Sequence, residues 1–389
     1  MNKTYAGIDI GTYNVKVVIA EISPSGSEAM QIIGTGTAVS KGMRHGYIIN
    51  TKDAARGILE AVRNAEAASK RKIKSARVAI GGIGLDEMKS TGEISLTQSG
   101  GVVGEQDLTR VLEDSERRIS SQLTNRKVIH ALPMAYKIDN KEVYGRPVGM
   151  RGSKFSVDTL LITALEQHLN DLIESVEEIG IEVEDIMASP LAASMVTLTK
   201  AQKMAGVVLA NIGAETLSIA VFENDTPISL KVLPTGAGDI TNDIALSLKI
   251  SLTEAEQMKR GAITRTDVPR KKVDEVVAAR LREIFGLIDA HLKSIGRNRL
   301  LPAGIVITGG GSGIATVRDL AKAALQLPSQ IGSLPGPSRA MAADATWAVA
   351  FGLCRWGYTT DAHAGSESFE DMFMKLGRSI VKGIRSLLP

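Results

Sequence analysis

The sequence lacks several features that would point to common classes of protein. It has one cysteine, Cys354, so no disulfide can form within the chain, as is typical of a reducing compartment. Aromatic residues make up 4%, too few for extended stacking on nucleic acid, and a net charge of +3 is too small to indicate a nucleic-acid partner. No apolar run reaches the ~18 residues that span a bilayer, and the N-terminus lacks the layout of a signal peptide.

What is present is ordinary for a globular protein with more than one domain. The chain has 389 residues, of which 44% are hydrophobic and 23% charged. Single hydrophobic cores stop growing at about 250–300 residues, so two or more domains are expected. Strand-like runs followed by helical runs predict a mixed α/β fold. The five histidines are scattered and form no metal-ligand pattern.

The stretch Tyr5–Ile19 contains two β-rich runs around a tight Gly-Thr turn, which predicts a hairpin. Gly11 can bring backbone N–H groups close to a phosphate, and Thr12 adds a hydroxyl. Asp9, at the end of the first strand, can hold a hydrated Mg²⁺. Taken alone, a plain hairpin with a solvated Asp explains the stretch equally well.

A second stretch, 206–222, repeats the pattern with Asn211, Gly213 and Thr216 around its turn. Two such hairpins predict two similar lobes facing each other. A third stretch, Gly309–Gly313, follows an apolar strand and is expected to open a helix, which suits approach to a nucleotide. A lone glycine cluster is usually only a tight turn, but the three stretches in this order together indicate a nucleotide site.

Together these stretches resemble the first phosphate, second phosphate and adenosine motifs of the superfamily of actin, heat-shock chaperone ATPases and sugar kinases. Within it, the chain resembles the bacterial cell-division FtsA family over essentially its whole length. The residues that carry this resemblance are Val128–Tyr136, Pro147–Gly152, Pro234–Ala245, Ala255, Glu256 and Lys259. The resemblance implies an α/β, two-lobed actin-like (ribonuclease H-like) fold, with an FtsA-type 1C subdomain insertion and a C-terminal amphipathic helix.

The same resemblance implies a division of the chain into subdomains. The first lobe is expected to hold subdomain 1A and the inserted 1C, and the second lobe 2A and 2B. The expected ranges are 1–84, 164–198 and 340–357 for 1A; 85–163 for 1C; 199–226 and 298–339 for 2A; 227–297 for 2B; 358–368 for a linker; and 369–389 for a membrane-targeting helix.

Carried over motif by motif, the resemblance implies that ATP and Mg²⁺ are bound between the lobes, with Asp9 holding the metal through water. Glu256 and Lys259 would contact the ribose and adenine from one helix face, although a surface ion pair explains their i, i+3 spacing on simpler grounds. The implied nucleotide-binding residues are Asp9, Gly11, Thr12, Tyr13, Asn14, Lys16, Asn211, Gly213, Ala214, Glu215, Thr216, Gly236, Gly238, Glu256, Lys259, Gly309, Gly310 and Gly311.

The sequence departs from the superfamily at three points. Asn211 stands where an Asp usually begins the second motif, and Ser189 where a Glu often precedes Pro190. Glu215 brings a carboxylate close to the expected phosphates, which it would repel. Neither Ser189 nor Asn211 can accept a proton near neutral pH. We therefore predict a protein that binds ATP but hydrolyses it very slowly, with no catalytic residue.

The tail 369–389 is amphipathic on a helical wheel, after a polar stretch. An apolar face opposite a basic face indicates a helix that lies on an anionic membrane, although a core-packed terminal helix is the alternative. The apolar face comprises Phe369, Met372, Phe373, Leu376, Ile380, Ile384, Leu387 and Leu388; the basic face comprises Lys375, Arg378, Lys382 and Arg385. The family resemblance implies the same role as a membrane anchor.

The resemblance also implies partners and a location. These are the C-terminal tail of FtsZ, bound by 2B, a head-to-tail filament of the chain itself, and other division proteins, bound by 1C. Arg280 and Glu283 are the candidate FtsZ contacts, with a surface ion pair as the alternative. The expected location is the cytoplasmic face of the cell membrane at the division site, with no nucleic-acid partner.

Two other functions fit the same superfamily. A PilM-like pilus-assembly protein shares the fold and the type of insertion, but the amphipathic tail argues against it. A small-molecule kinase would need a carboxylate base in the cleft, and the residues at Ser189 and Asn211 make that less suitable. A heat-shock chaperone is disfavoured because no substrate-binding β domain follows the expected nucleotide domain.

Overall fold

The computed structural model describes residues 3–22, 30–96, 100–262, 269–335 and 344–362. In these ranges the chain forms two lobes, each built on a five-stranded sheet, and a four-stranded sheet inserted into the first lobe. The α/β, two-lobed architecture expected from the hairpins is confirmed.

The first lobe is a mixed sheet covered by helices. Strand β1 pairs antiparallel with β2 and parallel with β6, which places the first hairpin at the centre of the sheet. Its elements before the insertion are β1 (Thr4–Ile10), β2 (Asn14–Ile22), β3 (Met30–Val39), the short ribbon β4 (Met43–Arg44) and β5 (Tyr47–Ile48), α1 (Thr51–Ser69) and β6 (Ser75–Ile80). Central strands are buried on both faces, which explains their nearly continuous apolar sequences.

The insertion has a sheet and a helix of its own. Helix α2 packs on the sheet and contributes Leu108, Val111 and Leu112 to a separate small core. The elements are β7 (Asp86–Ser95), α2 (Glu105–Arg118), β8 (Arg126–Ile138), β9 (Lys141–Val143) and β10 (Lys154–Leu165), with the sheet order β7-β10-β8-β9. The chain then re-enters the first lobe through α3 (Glu166–Glu177), β11 (Glu182–Ala188) and α4 (Ser189–Thr197).

The second lobe repeats the sheet of the first. Its strand order β16-β15-β12-β13-β14 and its strand directions match β11-β6-β1-β2-β3 of the first lobe. Its elements are α5 (Lys200–Ala205), β12 (Val207–Ile212), β13 (Leu217–Glu223), β14 (Thr226–Leu233), α6 (Ala237–Leu248), α7 (Leu252–Lys259), α8 (Arg270–Ser294), β15 (Ile305–Thr308), α9 (Val317–Leu325) and β16 (Ser329–Ile331).

Helix α10 (Ala348–Ala362) returns from the second lobe and packs against β1 and α4 of the first. Cys354 on this helix is fully buried, and its thiol lies 3.4 Å from the Val18 carbonyl. Burial raises the pKa of this thiol to about 12, which removes it from redox chemistry.

Two local expectations differ from the structure. Helix α10 runs to Ala362, so the expected linker from Tyr358 begins too early; the Asp361 carboxylate pairs with Lys3 at 2.7 Å and fixes the last turn. At its other end, α10 follows a separate 3₁₀ turn over Ala345–Trp347. Asp344 caps that turn by accepting the Thr346 N–H at 3.0 Å.

The glycine stretch also differs, because it does not open an α-helix directly. It forms a 3₁₀ turn over Gly310–Gly313, and α9 begins only at Val317. The predicted membrane-targeting helix, 369–389, lies outside the described residues. Among the helices that the structure does describe, none is long and apolar enough to cross a bilayer.

Candidate nucleotide-binding cleft

The two hairpins have the same backbone construction. In the first, the Gly11 N–H donates to the Asn14 carbonyl at 3.2 Å and closes a two-residue turn; in the second, the Gly213 N–H donates to the Thr216 carbonyl at 2.8 Å. Strand pairing aligns Asp9 with Lys16 in one hairpin and Asn211 with Ser218 in the other. The repeat seen in the sequence is therefore a repeat in three dimensions, with Asp9 equivalent to Asn211.

The first hairpin places a carboxylate and an ammonium group opposite each other, both partly buried. Desolvation raises the pKa of Asp9 to about 6, and the opposing charge of Lys16 only partly offsets it. Desolvation also lowers the pKa of the Lys16 ammonium, which donates a hydrogen bond to the Thr346 carbonyl at 2.7 Å. A desolvated carboxylate at a strand end is a site that gains from a nearby cation.

The oxygen atoms that the first hairpin offers fit Mg²⁺. The ion keeps most of its own waters and needs only one or two carboxylates, with phosphates supplying further oxygens. Asp9 and the Thr12 hydroxyl are the oxygen donors of the first hairpin that suit it. No group of three or more His, Cys, Asp or Glu side chains converges within the described ranges.

The short ribbon formed by β4 and β5 lies beside both hairpins. His45 and Gly46 form its turn with φ of 49° and 80°, so two consecutive N–H groups are presented to the cleft. The His45 N–H donates to the Glu215 carboxylate at 2.6 Å, and the Gly46 N–H donates to the Thr12 hydroxyl at 3.1 Å. Glu215, expected beside phosphates, instead crosses to the first lobe.

The N-terminus of α6 is seated on the second turn. The Ala237 N–H donates to the Gly213 carbonyl at 2.8 Å, and the Gly238 N–H donates to the Ala214 carbonyl at 2.7 Å. A Cβ at Gly236 would lie 2.5 Å from the Ala214 carbonyl oxygen, so only glycine permits this approach. Gly236 and Gly238, expected near the base, lie against the backbone of the second turn.

Glu256 and Lys259 do form the pair expected from their spacing, with 2.6 Å between carboxylate and ammonium. Thr241 on α6 donates its hydroxyl to Glu256 at 2.6 Å and accepts from Lys259 at 2.8 Å. Burial alone would raise the pKa of Glu256, but hydrogen bonds from Lys259, Thr241 and Arg260 outweigh it and lower the pKa to about 2. The cluster is a charged, pre-ordered surface next to the start of α6.

The glycine stretch lines the end of β12. Gly309 has φ of 81°, and a Cβ there would lie 2.3 Å from the Asn211 side-chain oxygen. A Cβ at Gly311 would lie 2.5 Å from the Ile212 side chain, whereas one at Gly310 would meet nothing within 4 Å. The stretch therefore presents an open backbone strip beside the second hairpin.

Contacts link the two hairpins, the α6 terminus and the Glu256 cluster, and the glycine strip lies beside the second hairpin. The structure does not bring Arg280 and Glu283 there: Arg280 binds Asp243 at 2.7 and 2.9 Å and Glu283 at 2.8 Å on α8. The predicted membrane-contacting residues all lie outside the described part of the chain.

Sequence reasoning missed three participants, namely Thr241, Arg260 and His45. Thr241 lies within the matched run Pro234–Ala245, so its helical spacing from Ala237 was an available signal. His45 lies in a short ribbon with no motif, and nothing in the sequence marks it.

Comparison with known proteins then gives the family. The family model described as cell division protein FtsA matches residues 208–352, and one described as SHS2 domain inserted in FTSA matches residues 83–163. The FtsA of Pseudomonas aeruginosa is 30% identical over 351 residues, which cover 85% of this chain and 83% of that protein. The chain belongs to the FtsA family of cell division proteins.

The FtsA of Bacillus subtilis is 29% identical over 353 residues, covering 85% of this chain and 79% of that protein. The second family model falls on the inserted β7–β10 unit, so the insertion is an SHS2 domain of the FtsA type. The resemblance stated from the motifs is confirmed.

Solved structures share the fold. A chain of the PilM-PilN type IV pilus biogenesis complex superposes with a TM-score of 0.69 at 17% identity, covering 90% of this chain and 97% of that one. MreB5 of Spiroplasma citri bound to ADP gives a TM-score of 0.53 at 12% identity, with 94% and 99% covered. At these identities the likeness concerns the actin-like fold alone, and the family match favours cell division over pilus assembly.

Proposed function

We propose that this FtsA-family protein binds ATP in the cleft between its lobes and attaches FtsZ to the cytoplasmic face of the cell membrane. The observation that carries the ATP site is the pair of register-matched hairpins at one cleft, with the open Gly310 strip beside the second. Backbone N–H groups in turns of this kind suit phosphates. Asp9, with Thr12, would hold the Mg²⁺ that neutralises the charge of the phosphates.

The ATP site is tested with two glycines of the same turn. A Cβ at either Gly310 or Gly313 meets nothing within 4 Å, so valine at either position leaves the fold intact. Gly310→Val should weaken binding of a fluorescent ATP analogue at least tenfold, while Gly313→Val should leave it unchanged. Equal affinities in both variants and the parent would contradict the proposed strip.

The chain is proposed to turn ATP over very slowly. Ser189 lies buried at the start of α4, and Asn211 takes the place of the carboxylate equivalent to Asp9. Neither can act as a general base at neutral pH. Steady turnover above ~1 s⁻¹, the low end of typical enzymes, in the purified protein would refute this point.

The membrane attachment is assigned to the amphipathic tail 369–389, on the basis of its sequence. Deleting Phe369–Pro389 should abolish sedimentation with vesicles of anionic lipid, while replacing its basic residues by glutamine should weaken it. Binding that survives the deletion would contradict the anchor.

The FtsZ tail is assigned to the helical part of the second lobe. Arg280 is already held by Asp243 and Glu283, so the exposed leucines Leu246 (78% exposed) and Leu252 (58%) offer additional contact area. Leu246→Glu should abolish capture of an FtsZ tail peptide. Leu300→Glu, at a leucine 63% exposed elsewhere in the lobe, is the control. Capture of a pilus-protein peptide instead would favour the PilM-like alternative.

The remaining part of the proposal concerns assembly. Head-to-tail contacts between copies would give open filaments, and the SHS2 insertion would contact other division proteins. Electron microscopy of the protein on anionic lipid, with and without ATP, tests this point. Monomers dispersed on the lipid under both conditions would contradict it.

A further inference from the structure

Glu215 and Tyr13 occupy the same place in the two hairpins. Each is the second residue of its two-residue turn, because Gly11 pairs with Asn14 as Gly213 pairs with Thr216. Glu215 also reaches the opposite lobe, where it accepts the His45 N–H at 2.6 Å. The turn of the second hairpin therefore makes a direct contact across the cleft.

The Glu215 contact is part of a wider set of hydrogen bonds. Its carboxylate receives a charge-assisted hydrogen bond from a turn whose next N–H, at Gly46, is held by Thr12. The His45 ring lies close as well, with Nδ1 3.4 Å from the Glu215 carbonyl oxygen and 3.9 Å from its carboxylate. The first hairpin, the ribbon and the second hairpin are thus joined in one chain of contacts.

We infer that Glu215 latches the two lobes together at this end of the cleft. Opening the cleft here must break the bond between Glu215 and His45, so this bond resists opening. A second consequence rests on the proposed nucleotide site. With ATP bound in the cleft, the Glu215 contact would also set the rate at which the nucleotide leaves.

The test separates the hydrogen bond from the charge. Glu215→Ala removes both, whereas Glu215→Gln removes the charge but keeps a side-chain oxygen that can accept the His45 N–H. Glu275→Ala, at an exposed carboxylate on α8 of the same lobe, is the matched control. Spin labels at Lys52→Cys on α1 and Ser247→Cys on α6 report the inter-lobe distance, since buried Cys354 does not react.

Without any nucleotide, Glu215→Ala should lengthen and broaden the distance distribution, Glu215→Gln should do so less, and Glu275→Ala should not. Release of a fluorescent ATP analogue should be about tenfold faster in Glu215→Ala, the range expected for a lost charge-assisted hydrogen bond.

An unchanged distance distribution in Glu215→Ala overturns the latch. Equal effects of Glu215→Ala and Glu215→Gln overturn it too, because they would assign the change to charge alone. If no variant or parent binds the analogue, the proposed nucleotide site fails, while the distance measurement still decides on the latch.

Discussion

The two hairpins share one backbone and differ in chemistry. The first places the ionisable Asp9 and Lys16 opposite each other, and the second places the uncharged Asn211 and Ser218 at the same positions. The first turn is joined to the short ribbon, whereas the second supports the N-terminus of α6. The same backbone thus carries ionisable residues at the paired strand position in the first lobe and supports the start of a helix in the second.

The largest expected effect is at the helix support, which the first hairpin lacks. In Gly236→Val the new side chain would meet the backbone of Gly213 and Ala214, which cannot move without breaking the turn. We expect a loss of about 3 kcal/mol or more in the free energy of unfolding, measured by urea denaturation. Gly310→Val, in open space, serves as the control, and a loss equally large there would contradict the assignment.

The next effect concerns Asp9, the carboxylate that stands where the second hairpin has Asn211. Asp9 has its pKa raised from 3.8 to about 6, so the native state binds the proton more tightly than the unfolded state. Its contribution to stability is therefore fully present below pH 4 and is lost as the pH rises through 6, by about 3 kcal/mol at most.

Asp9→Asn should remove this pH dependence. The difference in unfolding free energy between Asp9→Asn and the parent should shift in favour of the variant between pH 4 and pH 7. A difference that stays constant across this range would show that Asp9 titrates normally.

A smaller effect is expected from making the second hairpin resemble the first. Asn211→Asp restores a carboxylate at the position equivalent to Asp9. If its absence limits hydrolysis, ATP turnover should rise about tenfold, below the ~10²–10⁴-fold typical of a well-placed general base. Ser218→Ala, opposite it in the same hairpin, should not alter turnover, and phosphate release measures both.

The smallest effect is expected at the first residue of each two-residue turn, which is Thr12 in the first hairpin and Ala214 in the second. The Thr12 hydroxyl accepts the Gly46 N–H at 3.1 Å, whereas its equivalent, Ala214, has no hydroxyl. Thr12→Val should cost about 1 kcal/mol of stability, the usual worth of such a hydrogen bond. Ala214→Ser should bring no matching gain in stability. The contacts described for the second turn include no ribbon N–H that could donate to the new hydroxyl. Thermal unfolding of both variants decides this.

Much of the fold follows from local pattern. The α/β class and the two hairpins were predicted because alternation and helical spacing are properties of neighbouring residues. The errors, at Tyr358 and Gly309–Gly313, both concern where a helix begins or ends. Those bounds are decided by contacts such as the ion pair between Asp361 and Lys3, which join distant parts of the chain.

Much of the candidate site could also be predicted from the sequence, because phosphate-type turns carry glycine and hydroxyl residues close together in the chain. Glu256 and Lys259 were predicted as a pair from their i, i+3 spacing, and they form one. The role of Glu215 was not foreseen. A carboxylate in a turn has no local partner, and only the arrival of the His45 ribbon from the other lobe gives it one.

The sequence by itself determined that the chain has two matching hairpins, one with Asp9 and one with Asn211, and a glycine strip after β15. Tertiary structure alone decided what each of them touches: Lys16 reaches the carbonyl of Thr346, Glu215 the N–H of His45, and Gly309 the side chain of Asn211. The reason is physical. Backbone pattern is local, whereas desolvation and hydrogen bonding across a cleft depend on groups that meet only when both lobes have folded.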